Sequence, residues 1–211
     1  MRKSTFVPVF CLLGLFCLLT LPANADTPNL ITNGNFGQIK DGQAVGWGFS
    51  SANPEIFKLS FPQEKDRGNV ARMDVSSAVM SGYFNQSITL KPHTNYHFSA
   101  LSQLDKGQIL IYIHAGADKA KIDTRIYVKT LQGNPLVPWF WEKKWIEGSS
   151  GYPNPNGGLV RTFLAEPNAW EPVSIDFNSG DLTQVSISLG GYFDAGRYQF
   201  DDVSVTEIPE K

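Results

Sequence analysis

The chain has 211 residues, of which 42% are hydrophobic, 12% aromatic and 18% charged. That is enough for one sizeable core or at most two small ones, and it excludes a disordered chain. The formal net charge of −2, with no tract of basic residues, argues against nucleic acid as a partner, and 19 Gly with 13 Pro argue against a helical bundle.

Residues 1–25 have the layout of a cleaved secretory signal peptide. Arg2 and Lys3 form a positive start, Phe6 to Leu21 is apolar, and Ala23-Asn24-Ala25 is a small-x-small cleavage site. The apolar run falls short of the roughly 20 residues that a membrane span needs. No later stretch is apolar enough to cross, so no membrane insertion is expected after cleavage. Residues 26–211 are expected to form a single domain, secreted or periplasmic. Both cysteines, Cys11 and Cys17, lie in the leader. The exported part must therefore rely on its core, or on a bound metal, rather than on disulfides.

From there the chain reads as strands and turns. Tyr96-His97-Phe98-Ser99-Ala100-Leu101 predicts one strand. In Gln108–His114, Ile109, Ile111 and Ile113 alternate with Leu110, Tyr112 and His114, which predicts a strand with two distinct faces. Val173–Phe177, Val185–Leu189 and Phe200–Val205 alternate in the same way. Lys91-Pro92, Asn178-Ser179-Gly180-Asp181 and Ala195-Gly196 supply turn chemistry between them. Short strands of period 2 with frequent turns predict an all-β antiparallel sandwich from about Thr27 to Ile208. One region breaks the rhythm, and an insertion is expected over about 120–165. Between Leu131 and Gly158 lie Trp139, Trp141 and Trp145, three of the five tryptophans, among prolines and glycines. A long aromatic loop either packs down or meets a ligand.

The two ends of this region of strands carry a specific pattern. Asn29-Leu30-Ile31-Thr32-Asn33-Gly34-Asn35-Phe36 is followed by Gly46-Trp47, and the last strand reads Phe200-Asp201-Asp202-Val203. Between them stand Gln86-Ser87-Ile88-Thr89-Leu90, Tyr96-His97-Phe98-Ser99 and Trp170 before Val173. Together these resemble the carbohydrate-binding modules of families 4, 9, 16 and 22, which share a galactose-binding-like jelly roll. The resemblance implies that the first and last strands are neighbours. It also implies non-catalytic binding of a polysaccharide or oligosaccharide. Read on the residues alone, Asn33-Gly34 permits a positive-φ turn, and Phe36, Trp47 and Trp170 are bulky enough to anchor the core.

The resemblance further implies one structural Ca²⁺ between the two ends. Asp201 would be a ligand and Asn35 would lend a carbonyl. The position where the family carries a Glu is Gly37, so Asp66 or Asp41 would have to substitute. His93, His97 and His114 show no zinc-ligand spacing.

Two sets of aromatics are candidates for stacking on sugar. Tyr112 and His114 share the strand face opposite the three isoleucines, and are expected near Gln103 or His97. Trp139, Trp141 and Trp145 form the second set, with Lys143, Lys144 and Arg161 nearby in sequence as a weak pointer to an acidic polysaccharide. Two alternatives stand beside sugar binding. One is an exported adhesion or surface-assembly protein that uses the 131–158 loop for protein contact. The other is a polysaccharide lyase or glycoside hydrolase. Tyr112-Ile113-His114 and Tyr192–Tyr198 faintly resemble two alginate lyase motifs, with His114 and Tyr198 as the acid-base pair; Glu142, Glu147, Glu166 and Glu171 are the loop carboxylates a hydrolase would draw on.

Overall fold

The computed structural model describes residues 27–115, 123–130, 152–153 and 159–209. Its strands in chain order are β1 Ile39–Lys40, β2 Gln43–Ala44, β3 Gly48–Ser51, β4 Phe57–Ser60, β5 Gln63–Glu64, β6 Gly68–Asn69, β7 Ala71–Val75 and β8 Gly82–Thr89. They continue as β9 Asn95–Leu104, β10 Gln108–His114, β11 Asp123–Lys129, β12 Tyr152–Pro153, β13 Leu159–Leu164, β14 Glu171–Asn178, β15 Gln184–Gly191 and β16 Gly196–Glu207. Seven strands form the larger sheet in the order β12-β13-β11-β10-β15-β8-β3, and five form the smaller one in the order β14-β9-β16-β7-β4. Among the described residues no helix is long and apolar enough to cross a membrane.

The period-2 pattern explains the two layers. Ile109, Ile111 and Ile113 of β10 are buried, as are Ala71, Met73 and Val75 of β7 and Val173, Ile175 and Phe177 of β14. All of them belong to one cluster between the sheets, together with Phe36, Trp47, Phe84 and Phe200. Burying each large apolar side chain contributes about 1.5–3 kcal/mol, so this cluster is what holds the sheets face to face. The described strands pair antiparallel with one exception. β11 and β13 run parallel, with Arg125 beside Val160 and Tyr127 beside Thr162. Both strands fall inside the segment expected as an insertion, so its two ends belong to the larger sheet.

The opening segment 29–34 lies against the last strand, β16, although it is a turn-rich segment rather than the strand that was expected there. Leu30 N–H donates to the Val205 carbonyl at 2.9 Å, and Val203 N–H donates to the Gly34 carbonyl at 2.9 Å. Asn29 reinforces this, because its Oδ1 accepts the Val205 N–H at 3.0 Å while its Nδ2 donates to the Val203 carbonyl at 3.1 Å. Gln86 does the same from the other layer, exchanging bonds of 2.7 and 2.9 Å with the Thr32 backbone. The positive-φ turn expected at Asn33-Gly34 is present. The positive φ falls on Asn33 (53°) and Phe36 (51°), while Gly34 serves close approach: a Cβ there would lie 2.0 Å from the Val203 carbonyl oxygen.

Candidate functional site

The inward isoleucines of β10 force its other residues outward. Leu110, Tyr112 and His114 therefore lie on the outer face of the larger sheet, and register extends that face sideways. Leu110 is opposite Tyr127 and Tyr112 opposite Arg125 on β11. On the other flank Tyr112 is opposite Ser188 of β15, Ser188 opposite Asn85 of β8, and Asn85 opposite Gly48 of β3. A second apolar cluster forms here, with Leu110 and Tyr127 buried and Tyr83, Tyr112 and Tyr192 partly buried against them.

The rings are held in fixed relation. Tyr112 and His114 stack with centroids 4.4 Å apart and planes at 20°. The Arg125 guanidinium lies 5.1 Å from the Tyr112 ring centre, a cation–π arrangement. Tyr127 meets Tyr192 edge-on at 5.8 Å. Burial pushes the Tyr83 hydroxyl up to about 12, so it remains a neutral donor and acceptor across the physiological range.

A polar row runs across the strands beside these rings. Asn85 Nδ2 donates to Ser50 Oγ at 2.8 Å and to the Tyr83 carbonyl at 2.8 Å. That orients its Oδ1 toward Ser188, whose hydroxyl donates to it at 2.6 Å. With its proton committed, Ser188 Oγ accepts from His114 Nε2 at 3.3 Å. Flat rings next to aligned hydroxyls and amides suit a polyhydroxylated ligand with apolar C–H faces.

Of the predicted ligand-binding residues, Tyr112 and His114 come together on this face; Trp139, Trp141 and Trp145 lie outside the described residues, as does the 131–158 loop. Gln103 and His97, expected near Tyr112, lie on β9 of the smaller sheet, so that proximity is corrected. Arg161 is also not part of the face. Its guanidinium points inward and donates to the Ser174 carbonyl of β14 at 3.2 Å. The face residues not anticipated are Tyr83, Asn85, Ser188, Arg125, Tyr127 and Tyr192. Alternation within Asp123–Lys129, where Ile126 and Val128 are buried in the main core, was the signal for Arg125 and Tyr127.

Trp170 is the second correction. It is half-buried rather than a core anchor, and it belongs to an ionic network on the outside of the smaller sheet. Its indole N–H donates to Glu64 Oε2 at 3.3 Å, and the Arg67 guanidinium lies 4.7 Å from its ring centre. Arg67 in turn approaches Asp201 Oδ2 at 3.6 Å and Asp202 Oδ2 at 3.7 Å. Asp201 is buried in β16, at a bulge where Asp202 takes a φ of 48°.

This network bears on the calcium expectation. Asp201 Oδ1 already accepts the Asp202 N–H at 2.8 Å, and its Oδ2 faces Arg67. Asn35 is exposed with its Oδ1 on the Gly37 N–H at 3.2 Å, and Asp66 is exposed in the β5–β6 turn. The nearby carbonyls are engaged too: Asn33 O accepts Phe36 N–H at 3.1 Å and the Trp47 indole N–H at 3.2 Å, and Gly34 O accepts from Val203. Ca²⁺ wants 6–8 oxygens with carboxylate charge. Among the described residues no group of three His, Cys, Asp or Glu could hold a metal ion. The side chains as arranged do not fit a calcium cage, and the Arg67 guanidinium supplies the positive charge beside Asp201.

The expected acid-base pair of a lyase is not assembled. Tyr198 is buried in the main core, and its hydroxyl donates to the Asp194 carbonyl at 2.9 Å. Burial first, and Asp194 second, push that hydroxyl above the usual phenol range. His114 belongs to the opposite side of the larger sheet. Of the loop carboxylates, Glu166 follows β13 and Glu171 opens β14, while Glu142 and Glu147 lie outside the described residues.

No described sequence family and no curated protein matches the chain. Solved structures do match its shape. The enzymatically active domain of bacteriophage CBA120 tailspike protein 4 aligns over 85% of this chain with a TM-score of 0.55 and 12% identity; this chain spans 21% of that structure. A family 61 carbohydrate-binding module in complex with β-1,4-galactotriose aligns over 86% of this chain and 100% of its own length, with a TM-score of 0.52 and 15% identity. The xylan-binding family 22 module of Paenibacillus barcinonensis Xyn10C aligns over 88% and 97%, with a TM-score of 0.50 and 9% identity. The fold of this chain is thus the jelly-roll β-sandwich of the carbohydrate-binding modules.

Proposed function

We propose that this chain is an exported, non-catalytic protein that binds a polysaccharide or oligosaccharide on the outer face of its larger sheet. The observation that carries the reading is the pairing, on one face, of the partly exposed Tyr83, Tyr112 and Tyr192 rings, packed on the buried Tyr127, with the His114–Ser188–Asn85–Ser50 row. The partly exposed rings take the C–H faces of pyranoses, and Ser50, Asn85 and His114, held in line by the buried Ser188, exchange hydrogen bonds with their hydroxyls. The fold supports the same reading, since neighbours of that fold bind β-1,4-galactotriose and xylan. Trp139, Trp141 and Trp145 are proposed as a further stacking surface. The signal-peptide layout of residues 1–25 supports the export part of the proposal, to a periplasm or the medium.

A glycan microarray of β-1,4-linked galactose, xylose and glucose oligosaccharides, probed with the purified protein, tests the proposal. Binding that is lost in Tyr112→Ala and weakened in Asn85→Ala, at an unchanged fold, is the expected result. No glycan bound, or binding indifferent to both changes, would overturn it.

A further inference from the structure

Seven non-glycine residues among those described have a positive φ. Five of them are Asn33, Asp41, His93, Asn168 and Asp202, side chains that tolerate the left-handed region. The sixth, Phe36, is fully buried, and its packing in the core compensates the strain. The seventh is Phe193, with a φ of 48° and 40% of its surface exposed. A bulky aromatic there strains the backbone and leaves much of its ring in water. Neither local conformation nor core packing accounts for it, and strain of this kind collects at functional positions.

The surroundings hold in place the backbone that carries the ring. Tyr192 N–H donates to the Gln108 carbonyl at 2.9 Å, the Tyr198 hydroxyl donates to the Asp194 carbonyl at 2.9 Å, and Arg197 N–H donates to Asp105 Oδ1 at 2.8 Å. The short Phe193 connection between β15 and β16 is thus pinned on both sides. Its ring meets Tyr192 edge-on at 5.2 Å, and Tyr192 meets Tyr127 edge-on at 5.8 Å. Phe193 is therefore the exposed end of the aromatic row on the outer face of the larger sheet.

We infer that Phe193 is a stacking residue for a pyranose ring at the rim of that face, and that it sets how well the site discriminates among sugar chains. The inference rests on the glycan-binding reading above and adds a residue to it. A ring carried on a pinned backbone and packed edge-on against Tyr192 loses little freedom when a sugar docks, which favours binding. It also reads shape. A sugar with equatorial substituents presents a flat C–H face to such a ring, and one with an axial hydroxyl on that face does not.

Phe193→Asn tests this, because Asn tolerates the backbone conformation and removes the ring. The same β-1,4-linked oligosaccharides are titrated against the purified wild type, Phe193→Asn and Tyr112→Ala, with thermal melting in parallel. The expected result is about tenfold weaker binding in Phe193→Asn, at a melting temperature equal to or above wild type, with a narrowed difference between the galactose and glucose series. Binding lost in Tyr112→Ala but unchanged in Phe193→Asn would overturn the rim role alone. A lowered melting temperature in Phe193→Asn with unchanged affinity would make the ring structural and also overturn it. No glycan binding by the wild type would remove the functional reading itself.

Discussion

Replacing Arg67 by Met removes a charge from beside Asp201 while keeping a long apolar stem over Trp170. Removing one partner of a buried ion pair costs about 3–5 kcal/mol, because the other charge is left uncompensated. Here the full figure does not apply. Arg67 is 26% exposed in its side chain and Asp201 only 2%, the closest approach is 3.6 Å, and Asp201 Oδ1 keeps its bond to the Asp202 N–H. Asp202, 60% exposed, contributes little. A net loss of about 1–3 kcal/mol follows, or roughly 3–9 °C in melting temperature for a domain of this size. The loss depends on pH in a definite direction. Burial raises the Asp201 carboxyl above its ordinary value. The folded state then binds a proton more readily than the unfolded one, so stability rises as pH falls from the folded value toward the unfolded value. Without Arg67 the folded value climbs further, and the penalty of Arg67→Met shrinks in acid. Thermal melts at neutral and acidic pH, with and without a calcium chelator, measure all of this, and Asp201→Asn added to Arg67→Met should recover most of the loss. An unchanged melting temperature in Arg67→Met, or a wild type whose midpoint drops with chelator, would refute the account and restore the metal.

Gly34→Ala should lower the melting temperature more than Arg67→Met, since a Cβ 2.0 Å from the Val203 carbonyl oxygen must push the opening segment away from β16; differential scanning calorimetry reads it. Asn85→Ala should weaken glycan binding by about 1–2 kcal/mol, close to tenfold, because Ser188 and Ser50 lose their common partner; isothermal titration gives the value. Tyr83 should ionise only near pH 12, later than an ordinary phenol. Its contribution to stability is therefore retained up to the ordinary phenol range and lost as pH rises beyond it, and ultraviolet absorbance titration of wild type against Tyr83→Phe isolates its share.

How much of this could be read in advance varied with the distance over which each residue acts. The β10 alternation is local, and it separated Tyr112 and His114 from the core isoleucines correctly. The meeting of the opening segment with the last strand was legible because Asn-Gly-x-Phe and Asp-Asp-Val come as a pair. Trp170 misled, since a large indole near an apolar strand looks the same whether it fills the core or lies under a guanidinium. Arg67 could not be found, because its partners Asp201 and Asp202 are remote in sequence and only the β16 bulge brings them near. Arg125 and Tyr127 were hidden by proximity to the tryptophan-rich stretch, although their alternation with Ile126 and Val128 had the period of a strand. Asn85, Ser188 and Ser50 are ordinary polar residues of strands, and only cross-strand register turns them into a row.

That row has a length. From His114 on β10 through β15 and β8 to Ser50 on β3 it takes three interstrand steps, about 14 Å at the usual strand spacing. A glycan lying along it runs across the strands, so each successive sugar meets a different strand rather than a different residue of the same strand. The sheet then behaves as a ruler. Affinity should climb steeply as an oligosaccharide grows to cover the row, and flatten once added units extend past it.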